Sequence, residues 1–195
     1  MESAVREALA ESQKLLNSFA ADPQNISKIV RAGKLLVENF KNKGRVFACG
    51  NGGSMSDAMH FAEELSGRFR GDRIPLPATA ISDPGYLSCV ANDYGWEFVF
   101  SRYLEAHAGL GDVLLAISTS GKSPNVLRAA EKAHEMGMKI IALTGKKDSP
   151  LSKLATLEIC ASGGTHADRA QEIHIQIIHS LIEIVEREMF PANYK

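Results

Sequence analysis

Apolar residues recur at helical spacing through the first 43 positions and then gather into short runs. Val5, Leu9, Leu16 and Phe19 form one stripe at three-to-four spacing, which predicts an amphipathic helix. Asp22-Pro23 reads as an N-cap followed by a proline in the first turn of a second helix. Ile26, Ile29, Val30, Leu35, Leu36 and Phe40 carry that helix up to Gly44. From residue 45 the pattern becomes strand, turn, helix, and it repeats. Strands are predicted at 45–49, 78–81, 112–117, 139–143 and 157–160. Helices are predicted near 54–68, across most of 84–106, near 123–136 and near 167–189. This alternation predicts α/β architecture: a five-stranded parallel sheet flanked by helices, with two leading helices. No repeat, low-complexity stretch or linker divides it, so residues 1–195 read as a single domain, with 1–43 as a helical pair used in assembly and 45–190 as the α/β core.

The predicted last helix is unusually apolar. Ile173, Ile177, Ile178, Leu181, Ile182, Ile184, Val185 and Met189 cover more than half of its circumference, more than one contact with a sheet requires. The excess predicts burial against a second copy of the chain as well.

Composition narrows the function classes. Lys plus Arg number 22 and Asp plus Glu 23, a net charge of -1, without the basic excess expected of a dedicated nucleic-acid binder. The longest unbroken apolar run, 113–117, is five residues, whereas a membrane-spanning helix needs about 20. Glu2, Arg6, Glu7 and Glu11 make the N-terminal stretch unlike a secretory signal. Cys49, Cys89 and Cys160 are far apart and odd in number. They predict small buried residues in a reducing, cytoplasmic setting rather than a disulfide framework or a zinc-thiolate cluster.

In an open parallel sheet, ligands bind beyond the carboxyl ends of the strands. Two loops there have unusual composition. Gly50-Asn51-Gly52-Gly53-Ser54 allows positive φ and close backbone approach, and leads into a helix whose free N–H groups suit an anion. A tight turn with Ser54 as N-cap accounts for the same residues. The loop lacks the third glycine of the dinucleotide fingerprint, where Met55 stands. Ser118-Thr119-Ser120-Gly121-Lys122-Ser123 offers four hydroxyls, a glycine and a helix start, a cradle for one phosphate. A polar loop capped by Ser123 is the plainer account. It is not a nucleotide P-loop, because Ala116 occupies the required upstream glycine position. Two such loops predict a small phosphorylated ligand and no nucleotide cofactor.

On the helix after the glycine loop, Met55, Ala58, Met59, Ala62 and Leu65 form the expected apolar stripe. His60 and Glu64 fall on the other side, roughly 40° apart, where such a pair could bind a divalent metal or share acid–base work. A solvated face is the plainer account of such a pair, and Glu63 reads as the weaker partner. On the last helix Gln171 and His179 lie within roughly 80° of each other at the margin of the apolar arc, with Asp168 between them. His179 and His174 also read as core histidines, and His107, His134 and His166 as surface residues. Convergent Glu and His beside a phosphate cradle would suit aldose–ketose isomerisation.

As a set these motifs resemble the phosphoheptose isomerases of the sugar isomerase (SIS) family. The resemblance runs from Cys49–Ser54 and Asp57–Leu65 through Ala91–Gly95 and Ala116–Gly121 to Ala167–Arg169, Gln171–His174 and His179, and covers essentially the whole chain. It implies a flavodoxin-like or Rossmann-like sheet and a homotetramer with active sites between subunits. The implied reaction converts sedoheptulose 7-phosphate to D-glycero-D-manno-heptose 7-phosphate, towards the ADP-heptose of lipopolysaccharide core. By position, Glu64 would be the general base and His179 the general acid. Ser118, Thr119, Ser120 and Ser123 would hold the phosphate. Asn51, Gly52, Gly53, Ser54, Asn92, Asp93 and Gln171 would contact the sugar, with Glu64, Arg68 and Asp168 also near it. The resemblance implies zinc, with His60, Glu64, Gln171 and His179 as ligands. Alternatives are a non-catalytic SIS protein that binds the bacterial replication initiator, a sugar-phosphate sensor and an isomerase for another ketose phosphate. Glu64 and His179 favour the enzyme over the first. The chain length leaves no room for the DNA-binding domain of the second.

Overall fold

The computed structural model describes residues 1–194. Helices α1 (Glu2–Ala21) and α2 (Pro23–Lys41) come first. Between them the Asp22 carboxylate accepts the Gln24 N–H at 2.9 Å, and Pro23 occupies the first turn, where its missing N–H costs no hydrogen bond. Then follow β1 (Val46–Cys49), α3 (Gly53–Ser66), β2 (Ala78–Ala80), α4 (Pro84–Asp93), α5 (Ser101–His107), β3 (Val113–Ser118) and α6 (Pro124–Glu135). The chain continues through β4 (Lys139–Thr144), α7 (Pro150–Leu154), β5 (Leu157–Cys160) and α8 (Ala167–Met189), and a 3-10 turn covers Pro191–Tyr194. Every strand pairing is parallel, in the order β2-β1-β3-β4-β5. The five-stranded parallel sheet predicted from the alternating pattern is therefore present.

Alternate strand residues feed two apolar layers. Val46, Ala48, Val113, Leu115, Ile117, Ile141 and Leu143 pack with α2, α3 and α8. Phe47, Cys49, Leu114, Ala116, Ile140 and Ala142 pack with α4, α5, α6 and α7. The strand order reverses between β1 and β3, so the loops leaving these two strands part and open a crevice between them.

Several expectations change. The 84–106 helix breaks at Gly95, whose φ of +102° ends α4, and a 3-10 turn at Trp96–Phe98 leads into α5. The short α7 is additional; its start is fixed by Ser149, whose Oγ accepts the Ser152 N–H at 3.2 Å. The apolar surplus of α8 is used inside the chain: Ile173, Ile177, Ile178, Leu181, Ile182 and Val185 are buried between the sheet, α2 and α3. Large apolar side chains are instead exposed on the leading helices, at Val5, Leu9, Leu16, Ile26 and Val30. Of the cysteines only Cys49 is buried; Cys160 is partly covered and Cys89 exposed.

Candidate active site

The glycine loop leaves β1 and the hydroxyl loop leaves β3, one on each side of the crevice. A reciprocal amide pair joins them. Asn51 Nδ2 donates to Asn125 Oδ1, and Asn125 Nδ2 donates to Asn51 Oδ1, both at 2.8 Å. Asn51 thus braces the first turn of α6 as well as facing the crevice. Gly52, at φ +54°, takes the N-cap position of α3, a conformation that favours glycine. Ser54, the expected cap, is instead buried inside the first turn. Gly53 lies close under Gln171: an added Cβ would meet Gln171 Nε2 at 2.7 Å and push that side chain aside. Gln171 of α8 therefore lies directly over the start of α3.

The hydroxyl loop is organised around Ser118. Its Oγ contacts Ser123 Oγ at 3.0 Å and Ser120 Oγ at 3.5 Å, and accepts the Gly121 N–H at 3.2 Å. Ser120 Oγ accepts the Lys122 N–H at 3.2 Å. Ser123 is the N-cap residue of α6 but makes no side-chain cap bond; its hydroxyl points back into the cluster. Thr119 is partly buried beside it, and its carbonyl accepts the Gly145 N–H at 2.9 Å. The predicted hydroxyl residues are thus neighbours around one helix N-terminus, the setting in which N–H groups and hydroxyls solvate an anion.

His60 and Glu64 do not lie on a solvated face. Helix α3 is covered on one side by the sheet and on another by α8, and its buried stripe is Ala58, Phe61, Ala62 and Leu65, while Met59 is 48% exposed. The pair sits on the flank facing α8. His60 Nε2 meets His179 Nε2 at 2.9 Å, and the same nitrogen is 3.6 Å from Glu64 Oε1. Either ring can be the donor, according to its tautomer. Burial, aided by His60 and Arg70 nearby, holds His179 below the ordinary histidine pKa, with Glu64 opposing. Phe69 covers the outer side of the His179 ring at 5.9 Å between centroids. Glu63, read as the weaker partner, is closer than expected: its Oε1 lies 3.1 Å from His60 Nδ1. His60, Glu63 and Glu64 offer ligand atoms within 4.8 Å of one another. Two imidazoles and carboxylates are donors of the type zinc takes, so the residues fit that ion. Gln171 stands over Gly53 and makes no hydrogen bond with His60, Glu64 or His179.

Four other expected residues make no hydrogen bond or ion pair with this cluster. Arg68 is exposed and unpaired among the described residues. Asn92 and Asp93 are exposed at the end of α4 and bonded to each other, Asn92 Nδ2 donating to Asp93 Oδ1 at 2.7 Å. Asp168 is exposed at the start of α8 beside Arg169, which also pairs with Glu11 and Glu172. Two residues of these helices, α6 and α3, had no predicted role. Asn125 is one. Asp57 is the other: its Oδ2 is buried without a partner, and burial pushes its pKa up to about 6.

A family model for the SIS domain matches residues 9–145. The chain is 55% identical over 185 residues to the phosphoheptose isomerase of Aeromonas hydrophila, covering 95% of this chain and 96% of that one. It is 52% identical to that of Vibrio cholerae, covering 95% and 97%. The solved structure of the phosphoheptose isomerase from Neisseria gonorrhoeae superposes with a TM-score of 0.88 at 34% identity, covering 95% of this chain and 98% of that one. The five-stranded parallel sheet is accordingly that of the SIS fold, and the chain belongs to the phosphoheptose isomerase family of SIS-domain proteins and is an isomerase.

Proposed function

We propose that the chain converts sedoheptulose 7-phosphate to D-glycero-D-manno-heptose 7-phosphate, with Glu64 as general base and His179 as general acid. The observation that carries this is the meeting of His179 with His60 across the α3–α8 seam, at the same nitrogen that lies near Glu64. Isomerisation moves one proton between carbons and one between oxygens. Glu64 removes a proton from C1 of the ketose and returns it to C2 of the resulting enediol. His179 delivers a proton to O2 and takes one back from the O1 hydroxyl as the aldehyde forms, so it ends each turnover as it began. Ser118, Thr119, Ser120 and Ser123 take the phosphate, and so hold the far end of the sugar while the near end reacts. Asn51, Gly52, Gly53, Ser54 and Gln171 line the path between the two.

Zinc held by His60, Glu64, His179 and Gln171 would supply polarisation of substrate oxygens. The exposed apolar residues of α1 and α2 support a homotetramer assembled through the leading helices. In that assembly Arg68, Asn92, Asp93 and Asp168 would reach substrate at a subunit boundary. The product would feed the ADP-heptose of lipopolysaccharide core, which places the reaction in the cytoplasm. Among the described residues no helix is long and apolar enough to cross a membrane.

The test is incubation of purified protein with sedoheptulose 7-phosphate, followed by carbon NMR with and without a chelator. The expected result is the aldoheptose phosphate, with conversion lost on chelation. Binding without conversion in either condition would replace the enzyme with a sugar-phosphate-binding SIS protein.

A further inference from the structure

Behind the α3–α8 seam lies a charge pair with no role in the chemistry above. Arg73, in the segment between α3 and β2, and Glu186 of α8 are 1% and 0% exposed. Arg73 Nε donates to Glu186 Oε1 at 2.9 Å. Its two terminal nitrogens turn the other way: Nη2 donates to the Glu64 carbonyl at 2.6 Å and Nη1 to the Leu65 carbonyl at 2.7 Å. The second oxygen of Glu186 accepts the Tyr194 hydroxyl at 2.8 Å. Asn193 Nδ2 donates to the Asp72 carbonyl at 3.0 Å, and the Phe190 ring lies under Arg73 at 5.9 Å. One guanidinium thus grips the end of α3, the flank of α8 and, through Glu186, the turn after α8.

The placement matters because of what these helices carry. Glu64 O is one of the carbonyls a helix end leaves without an intrahelical partner, and it is the main chain of the proposed base itself. Glu186 follows His179 by seven residues, which puts it two turns on, within about 20° of the same flank and about 10 Å along the axis. Apolar side chains of equal volume commonly hold two helices together at least as well as a buried ion pair. A planar fork adds direction, since its donors leave at fixed angles. We infer that Arg73, Glu186 and Tyr194 are positioning residues that set the register of α3 against α8, and with it the approach of Glu64 and His60 to His179. This rests on the acid–base reading above. The hydroxyl loop shares no hydrogen bond with the group, so turnover should respond and substrate binding should not.

Three proteins test it: the double variant Arg73→Met/Glu186→Leu, the mild variant Tyr194→Phe, and Glu64→Gln as a control on the site. For each, kcat and KM for sedoheptulose 7-phosphate are measured per folded molecule, with folding followed by circular dichroism. A misplacement near 1 Å can cost about 100-fold in rate. The double variant should fold, with kcat reduced about tenfold or more and KM within about twofold of the parent. Tyr194→Phe, which removes only the outermost bond, should lower kcat about threefold. A folded double variant with parental kcat would overturn the inference. Should the double variant not fold, parental kcat in Tyr194→Phe would overturn it instead. Full turnover by Glu64→Gln would reject the acid–base reading and leave the clamp without a reaction to serve. Loss of turnover in Glu64→Gln beside parental kcat in the clamp variants would reject the positioning role alone.

Discussion

His174 and His179 stand five residues apart on one helix and occupy opposite kinds of environment. His174 faces the sheet, has no exposed surface, and bonds through Nε2 to the Thr144 carbonyl at 3.0 Å. His179 faces α3, is partly exposed, and meets His60. Five residues turn a helix through roughly 140° once full turns are removed, so the two rings leave on different flanks. One flank meets main chain that is already committed to the sheet: the Thr144 carbonyl also accepts the Ala161 N–H at 2.7 Å. The other meets titratable side chains at the mouth of a crevice. The same residue type is structural on one flank and chemical on the other, and what stands opposite decides which.

The largest expected effect separates the two by activity. His179→Gln should lower kcat by about 10²- to 10⁴-fold, the usual range for a positioned acid or base, while the melting temperature changes little. His174→Leu should do the reverse, keeping turnover per folded molecule within about twofold and losing about 1 kcal/mol with the bond to Thr144. Steady-state kinetics beside thermal melts of both variants would check this. A His174→Leu protein that is fully stable but inactive would end the contrast.

The next effect is on stability against pH. Burial lowers the His174 pKa from 6.5 to about 4, outweighing the Thr144 bond, which raises it. The folded protein therefore keeps this ring neutral while the unfolded chain protonates it below pH 6.5. Its contribution is complete above that value and is lost as pH falls to about 4, a total of about 3 kcal/mol. Asp57 acts in the opposite sense. Its carboxyl is pushed up to about 6 from 3.8, so its contribution is present at low pH and is lost as pH rises through 6. The two overlap in one window, so the measurement is the difference between parent and His174→Leu in urea unfolding at pH 7.5 and pH 4.5. The parent's advantage should shrink or reverse on acidification. An equal gap at both values would mean that His174 is not the group titrating.

Much of the fold was legible because its signals are local. Runs such as 113–117 and 140–143 are apolar on every residue, as strands covered on both faces must be, and Asp22-Pro23 marks a helix start by its own chemistry. The failures are also physical. Five residues of α7 are too few to display a period, and the 84–106 pattern concealed one glycine with positive φ. For the site, periodicity locates a side chain about its own axis but not the element it will face. It put His179 at the edge of an apolar arc correctly, yet His60 lies 119 residues away in sequence. The Asn51–Asn125 pair spans 74. The α3 stripe was rotated for the same reason: two covered flanks buried Phe61 in place of Met59, and Glu63 came within reach of His60.

The smallest predicted effect applies the contrast to Ser123, which occupies the N-cap position of α6. A serine there normally accepts an N–H from its own helix, and replacing it with alanine costs about 1 kcal/mol. Here the hydroxyl makes no such bond and contacts Ser118 Oγ at 3.0 Å instead. If it faces outward to a phosphate, Ser123→Ala removes one charge-assisted hydrogen bond, worth roughly 1.5 kcal/mol. KM for the sugar phosphate should then rise about tenfold, with kcat and the melting temperature nearly unchanged. If it serves the helix, the melting temperature should fall and KM stay put. Kinetics and a melt on this one variant separate the two, and they ask of a serine what the paired histidine variants ask of an imidazole: whether its partner lies inside the fold or in the ligand.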